Sequence, residues 1–173
     1  MLKKSVTEML NQGLMLLGSI NEEQYRRKSQ AAYGASLGGH YRHVIDHLSV
    51  LLGGLDVGVI NYDLRQRDVG VETDLYIAQQ KTQDLADAWN LISDEDLNQT
   101  VEVVSKVSYA GRDAASVQST AGREAMYVVI HGVHHYALIG VMCNMMEIEL
   151  PVGFGVAPST VAHEKKQELT AAN

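Results

Sequence analysis

The sequence predicts a mostly α-helical protein, an up-down four-helix bundle with a short β-hairpin between its third and fourth helices. Its 173 residues fit one domain, residues 1–173, that can bury its own core. Two prolines against seven methionines favour helices over a sheet protein with many turns. Four stretches repeat apolar residues with a helical period, and their short connections suit a bundle.

The first two predicted helices lie in the N-terminal third of the chain. Residues 2–20 place their apolar side chains on one face. The second helix runs from about Ser36 to Leu52, with Ser36 as a suitable N-cap and Gly53-Gly54 as a stop signal. Each of these helices is long enough to contribute one face to the bundle core.

The third and fourth predicted helices flank the hairpin. The third spans about 73–92, and the hairpin follows at 100–120, where Val101 and Val103 alternate with polar residues. The fourth helix begins near residue 119 or 120 and continues to about 148. It is apolar nearly all round, which predicts a buried central helix. The polar residues from about 160 to 173 are expected to form a flexible tail.

Charge and cysteine content exclude several classes of protein. The net charge is −7 and the pI is near 5.4, and the basic clusters are short, so we expect no nucleic-acid partner. The single cysteine, Cys143, rules out an internal disulfide and a cysteine-based zinc site, and suits a reducing cytosol. There is no run of 18 apolar residues and no continuous apolar leader. We therefore expect a cytoplasmic protein with no membrane segment.

Six of the seven histidines fall into two triplets with helical spacing. One triplet lies on the second helix and the other on the fourth: His40, His43 and His47; His131, His134 and His135. Residues three or four apart share a helix face, so three nitrogens from facing stripes can converge on one cation. Three histidine ligands leave one coordination position open. The alternative is that these histidines pack or form hydrogen bonds, although a buried ring without a partner costs about 1–3 kcal/mol.

Other catalytic motifs fit the chain less well. A di-iron bundle needs Glu-x-x-His pairs, and the sequence has none. It also lacks a glycine-rich phosphate loop and a Gly-x-Ser-x-Gly elbow. Cys143 follows His135 by two helical turns, but a lone cysteine on an apolar helix is more typical of a packing residue. The sequence therefore identifies no catalytic residue and no organic cofactor.

Two motifs resemble those of the DinB-like superfamily, whose members are four-helix metal-binding proteins. The segment SLGGHYRHVIDH resembles the motif of the second helix, in which a serine or threonine precedes the ligand histidine by seven residues. The segment HGVHH resembles the motif of the last helix, whose first and last histidines are ligands. After HGVHH the chain continues YALIG, where many relatives have Arg-Gly-Gln.

This resemblance implies a metal triad of His43, His131 and His135 that holds zinc, nickel or iron, with water at the open position. It also implies a homodimer, to which the methionine-rich end of the fourth helix (Met142, Met145 and Met146) could contribute. His40, His47 and His134 could be supporting groups, alternative ligands or a polar pocket wall. Some relatives use thiols such as mycothiol or bacillithiol, and others are regarded as hydrolases.

Two hypotheses for function follow. In the first, the protein is a metal-dependent hydrolase or thiol-dependent transferase that acts on a small molecule. In the second, the metal is structural or sensory in a stress-associated protein without turnover, because no general base is evident. Asp46 could orient a histidine, although a surface salt link to a residue one helix turn away fits the sequence equally well. Arg65 and Arg67 could hold an anionic substrate, although solvated loop residues are the alternative.

Overall fold

A computed structural model describes residues 1–111 and 113–171. Its helices are α1 (Leu2–Ser19), α2 (Glu22–Arg26), α3 (Leu37–Leu55), α4 (Val69–Thr73), α5 (Leu75–Leu91), α6 (Asp94–Asn98), α7 (Ala121–Met145) and α8 (Pro158–Ala171). Its strands are β1 (Lys28–Ser29), β2 (Ala35–Ser36), β3 (Val59–Asn61), β4 (Thr100–Ser105) and β5 (Ala115–Thr120). Two short 3-10 helices cover Gln30–Ala32 and Tyr62–Leu64. The predicted helical class is confirmed.

The four long helices α1, α3, α5 and α7 form the bundle. Helix α3 packs against α7 and α5, and α1 packs against the same two helices, so each helix has two neighbours in the bundle. Leu10 of α1, Leu48 of α3 and Ile139 of α7 are fully buried between them. Trp89 of α5 is buried as well, and its indole N–H donates to the carbonyl of Lys3, 3.1 Å away. This bond joins the end of α5 to the start of α1.

Polar side chains define where three of the four long helices begin. The hydroxyl of Ser36 accepts a hydrogen bond from the backbone N–H of Gly39 at 3.0 Å and caps α3, as predicted. Asp74 caps α5, and Thr120 caps α7, each by accepting from a backbone N–H three residues ahead. These caps fix the start of both histidine-bearing helices, α3 and α7.

The prediction that Gly53-Gly54 ends the second helix was wrong, because α3 continues through both glycines to Leu55. Gly54 is required by packing. A Cβ atom there would lie 2.6 Å from the carbonyl oxygen of Val59 and 2.8 Å from Cγ1 of Ile60. The glycine therefore lets β3 pack directly against the helix.

The predicted hairpin is confirmed and is part of a larger sheet. Strands β4 and β5 pair antiparallel from Thr100↔Thr120 to Ser105↔Ala115. Strand β3 adds in parallel beside β4, with Ile60 opposite Val103, an arrangement that the sequence did not predict. Because β3 leads directly into the 3-10 turn at Tyr62–Leu64, the sheet holds that turn beside α3 and α7.

Helix α7 is buried on one face only, so the prediction of a buried central helix holds for that face and not for the other. Val128 and Ile139 are fully buried, whereas Val141 is 60% exposed. The exposed large apolar side chains of α7 are Met126, Ile130, Leu138, Val141 and Met145. Of the methionines expected at a dimer interface, Met142 is buried in the core and Met145 is exposed.

By length and composition alone, α7 could cross a membrane. Its most apolar 18-residue stretch has a mean hydropathy of 1.4, and 33% of that stretch is buried inside the protein. The core helix of a soluble protein can pass the same test of length and composition, since it is apolar to fit the core. In this protein α7 packs against α1 and α3.

Helix α8 occupies most of the segment for which the sequence predicts a flexible tail. Its described side chains are largely exposed. The flexibility of this segment stays a prediction, and its last two positions, 172 and 173, lie outside the described residues.

Candidate metal centre

Helices α3 and α7 bring their histidines together because they pack against each other along their length. His43 lies on α3, and His131 and His135 lie one turn apart on α7. Each of these three residues offers one ring nitrogen, and the three nitrogens all lie within 4.8 Å of one another. The two helices thus produce the convergence that the histidine spacing predicted.

The spacing of the nitrogens is close to what a single ion needs. The Nε2 atoms of His43 and His131 are 2.9 Å apart. In a tetrahedral zinc site with Zn–N distances of about 2.0–2.1 Å, two ligand nitrogens lie about 3.3–3.4 Å apart. Small side-chain movements would therefore seat an ion, and three imidazoles are a donor set that suits zinc, nickel and iron. The residues fit the metal that the DinB-like motifs imply.

His40 and His47 contact the triad. Nδ1 of His40 lies 3.0 Å from Nδ1 of His135, within hydrogen-bond distance. Nδ1 of His47 donates to the carbonyl oxygen of His43 at 2.8 Å. A partner on one ring nitrogen fixes the orientation of a ligating histidine, as His40 does for His135. The bond to the backbone of His43, by contrast, orients the ring of His47 itself. Of the three roles left open by the sequence, the supporting role fits these two residues best.

His134 is placed differently from the other histidines of α7. It is exposed, and its ring centroid lies 5.4 Å from that of His135 in an edge contact. The metal-binding group found among residues 1–111 and 113–171 does not include it. His134 therefore lies at the rim of the cluster.

The electrostatic environment keeps the cluster neutral. Burial lowers the pKa of His43 to about 2, with further contributions from His47, His135, His131 and Arg65. Burial and the neighbouring histidines lower the pKa of His135 to about 3. The pKa of His131 is also lowered, mainly by burial. At neutral pH all three rings carry a lone pair, which is the form that binds metals.

An aromatic and acidic wall lies behind the cluster. Tyr62 stacks on His47 with ring centroids 5.3 Å apart, and Tyr127 stacks on His131 at 5.4 Å. The hydroxyl of Tyr62 donates to Oε2 of Glu124 at 3.0 Å, and that carboxylate is 1% exposed. The hydroxyl of Ser119 donates to Oε1 of Glu124 at 2.6 Å. The sequence prediction did not include Glu124. A glutamate two turns before His131 on an apolar helix indicates a buried carboxylate with hydrogen-bond partners near the histidines.

Asp46 does not serve the histidines. Its Oδ2 lies 3.1 Å from Nη1 of Arg42, and Nε of the same arginine lies 2.9 Å from Oε2 of Glu72. Burial raises the pKa of Asp46, and Arg42 counteracts that effect. The predicted role of Asp46 in orienting a histidine has no support among the described contacts, because its carboxylate is paired with Arg42.

Arg65 lies near the cluster, whereas Arg67 does not contact it. Nη1 of Arg65 donates to the carbonyl oxygen of Tyr62 at 2.5 Å, and its positive charge lowers the pKa of His43, His47 and His131. Arg67 is exposed and has a left-handed backbone, with φ of 53°. Arg65 thus places a positively charged side chain beside the candidate metal centre.

A surface cleft of about 370 Å³ reaches the triad from solvent. His43 and His135 open into it, and its walls include His40, Gly39 and Arg42. Cys143, by contrast, is fully buried, and burial raises the pKa of its thiol to about 11. The cleft therefore gives a small molecule access to two of the three candidate ligands, while Cys143 is a packing residue.

Comparisons with known proteins support the same fold. No family model matches the chain. A DinB-like protein, YjoA of Bacillus subtilis, superimposes with a TM-score of 0.65 at 16% identity, over 88% of this chain and 97% of that one. A DinB-like protein of Bacillus cereus covers 87% of this chain with a TM-score of 0.49 at 17% identity. The chain has the DinB-like fold, as its motifs predicted.

A curated fungal protein is similar in sequence. FK506-binding protein 5 of Rhizopus delemar is 33% identical over 111 residues, which is 64% of this chain. The matched stretch spans only 29% of the length of that relative. The FK506 binding stated in the name of the fungal protein is therefore a property of that protein alone.

Proposed function

We propose that this protein is a metal-dependent enzyme that acts on a small molecule, as a hydrolase or as a thiol-dependent transferase. It binds one divalent ion, zinc, nickel or iron, through His43, His131 and His135. The observation that carries the proposal is the convergence of three imidazole nitrogens within 4.8 Å, with two of the rings, His43 and His135, lining an open cleft. A closed structural site has four protein ligands, whereas three leave a position for substrate.

Such an ion supplies Lewis acidity, which polarises an oxygen or favours the thiolate form of a thiol. The protein supplies orientation and the surrounding wall. His40 holds the ring of His135. The hydrogen bond from His47 to the carbonyl of His43 holds the ring of His47 against those of His43 and His131. Tyr62 and Tyr127 stack on the rings of His47 and His131 and support them from the side of the sheet and α7.

The alternative is a structural or sensory metal without turnover. One observation favours it: neither carboxylate nearest the cluster is free to act as a general base. Asp46 is paired with Arg42, and Glu124 accepts hydrogen bonds from Tyr62 and Ser119. A hydrolase of this kind would have to use a histidine for proton transfer.

Metal content tests the site first. Protein purified without chelator is expected to carry about one equivalent of metal. His43→Ala and His131→Ala should lower it to background, and His134→Ala, at the rim, should retain it. Background metal in the parent, with no uptake of Zn²⁺ or Ni²⁺, would overturn the proposal.

A second measurement separates the enzyme from the structural alternative. Metal-loaded protein is screened with small esters and with thiol-dependent transfer reactions, and the melting temperature of the metal-free protein is recorded. Turnover that needs the metal, in a protein whose metal-free form keeps its fold, supports the enzyme. Unfolding on metal removal, without turnover in the loaded form, supports a structural metal.

A further inference from the structure

An apolar groove adjoins the candidate metal centre. It has a volume of about 230 Å³ and runs between the segment Ser29–Tyr33 and the exposed face of α7. On the α7 side it is lined by Leu138, Val141 and Met145, whose side chains are 37–60% exposed. These apolar atoms face water in the free protein, so covering them with an apolar ligand would be favourable.

The groove lies beside the cleft that reaches the triad, and the two cavities share one lining residue, His40. Nδ1 of His40 lies 3.0 Å from Nδ1 of His135. The chain between Lys28 and Gly34 also borders both, since Ser29–Tyr33 flank the groove and Lys28 and Gly34 flank the cleft. The ring of His40 and the chain from Lys28 to Gly34 therefore form the boundary between the cleft and the groove.

We propose that the groove binds the apolar part of the substrate while a polar group of the same molecule occupies the cleft at His43 and His135. This inference rests on the proposed function and specifies its substrate class. That class is a small molecule with a metal-binding polar end and an apolar chain or ring of about six carbons, consistent with a groove below the ~300 Å³ of drug-sized sites.

Two features favour a small molecule over a second copy of this chain. The groove is concave and walled on one side by the Ser29–Tyr33 segment, whereas a stable protein interface buries about 800 Å² per partner over a broader surface. It also opens directly beside the polar cleft, as expected where one ligand has a polar and an apolar end.

Two alkyl hydroxamates test the proposal on protein loaded with Co²⁺. Acetohydroxamate and hexanohydroxamate have the same metal-binding group and differ by four carbons. Full burial of a methylene tightens binding about fourfold, and half burial about twofold, so hexanohydroxamate should bind at least about tenfold more tightly. The visible absorption of Co²⁺ reports both dissociation constants.

Matched variants locate the effect. Val141→Asn changes a groove residue that is 60% exposed, and Ile130→Asn changes an apolar residue of α7 that is 63% exposed and lies outside the groove lining. Val141→Asn should reduce the preference for hexanohydroxamate to about twofold while leaving acetohydroxamate binding unchanged. Ile130→Asn should retain the full preference. Equal affinities in the parent, or equal losses in both variants, would overturn the inference.

A third probe keeps the groove testable without any metal. The ¹⁹F signal of 6,6,6-trifluorohexan-1-ol should broaden with the metal-free parent and with Ile130→Asn, and not with Val141→Asn. Broadening without metal uptake would contradict the proposed metal function and retain the groove. Metal uptake with neither broadening of the ¹⁹F signal nor a preference for hexanohydroxamate would support the metal function and overturn the groove proposal. If sedimentation then shows a dimer that Val141→Asn alone dissociates, the groove belongs to a second copy.

Discussion

The depressed pKa of His47 predicts that the metal-free protein loses stability in mild acid. Its side chain is buried, with 3% exposure, and burial is the main cause that holds its pKa at about 4 against an ordinary value of 6.5. Below pH 6.5 the unfolded chain binds a proton at this ring and the folded protein does not. The free energy of unfolding therefore falls as the pH drops from 6.5 towards 4, and this contribution is constant below 4.

The expected size follows from the same two pKa values. Between pH 7.5 and 5.5 a fully shifted histidine changes the free energy of unfolding by about 1.4 kcal/mol. Because solvent near the cluster screens part of the interaction, we expect about 1 kcal/mol from His47. His43 and His135, whose pKa values are also lowered, act in the same direction.

Urea denaturation with chelator at both pH values measures this effect. The parent should lose more stability between pH 7.5 and 5.5 than His47→Gln does, by about 1 kcal/mol. His163→Gln is the matched control, because that exposed ring lies on α8 and is not among the groups that shift the pKa values of the cluster, and it should show the same loss as the parent. An identical pH dependence in His47→Gln and the parent would refute the argument.

Four further predictions concern the metal, the wall, the packing and the assembly. Zn²⁺ at about 100 times its dissociation constant should raise the free energy of unfolding of the parent by about 2.7 kcal/mol, and that of His131→Ala far less. Glu124→Ala leaves the hydroxyl of Tyr62 without its acceptor and should cost about 1–3 kcal/mol in urea denaturation. Gly38→Ala should be strongly destabilising, since its Cβ would lie 2.0 Å from a carbonyl oxygen of α4, whereas Gly18→Ala, with open space around it, should stabilise by about 0.5 kcal/mol. The homodimer stays a prediction, and sedimentation should show twice the 19.0 kDa chain mass.

Each of these predictions has an outcome that contradicts it. Equal stabilisation of His131→Ala by Zn²⁺ would place the ion elsewhere, and a neutral Glu124→Ala would mean that water replaces the carboxylate. Similar melting temperatures for the two glycine variants would contradict the close packing of α3 on α4. A single 19 kDa species at micromolar concentration would exclude the dimer under those conditions.

The two histidine stripes were predictable because their information is local, whereas the meeting of His43 with the α7 histidines was implied by the resemblance to DinB-like motifs. Spacings of three and four residues place His131 and His135 on one helix face whatever the rest of the chain does. The cap of α3 at Ser36 was predictable for the same reason, since it depends on a hydrogen bond to Gly39 only three residues away.

The features that the sequence did not predict depend on distant parts of the chain. Tyr62 reaches Glu124 across 62 positions, and β3 pairs with a strand more than 40 residues later. The sequence predicts a helix end at Gly54, because a sequence cannot distinguish a glycine that ends a helix from one that lets a neighbouring strand pack closely. The apolar pattern of α7 likewise does not show which of its faces stays exposed.

The chain order of the histidines has a consequence for biosynthesis. His43 precedes His131 by 88 positions, and the segment between them contains α4, α5, α6 and the whole three-stranded sheet. At a synthesis rate of about 5–20 residues per second, α7 leaves the ribosome about 4–18 s after α3. An ion that arrives in that interval meets the α3 histidines alone. Incorporation of the proposed ion would therefore come at the end of folding, after the bundle has gained its last long helix.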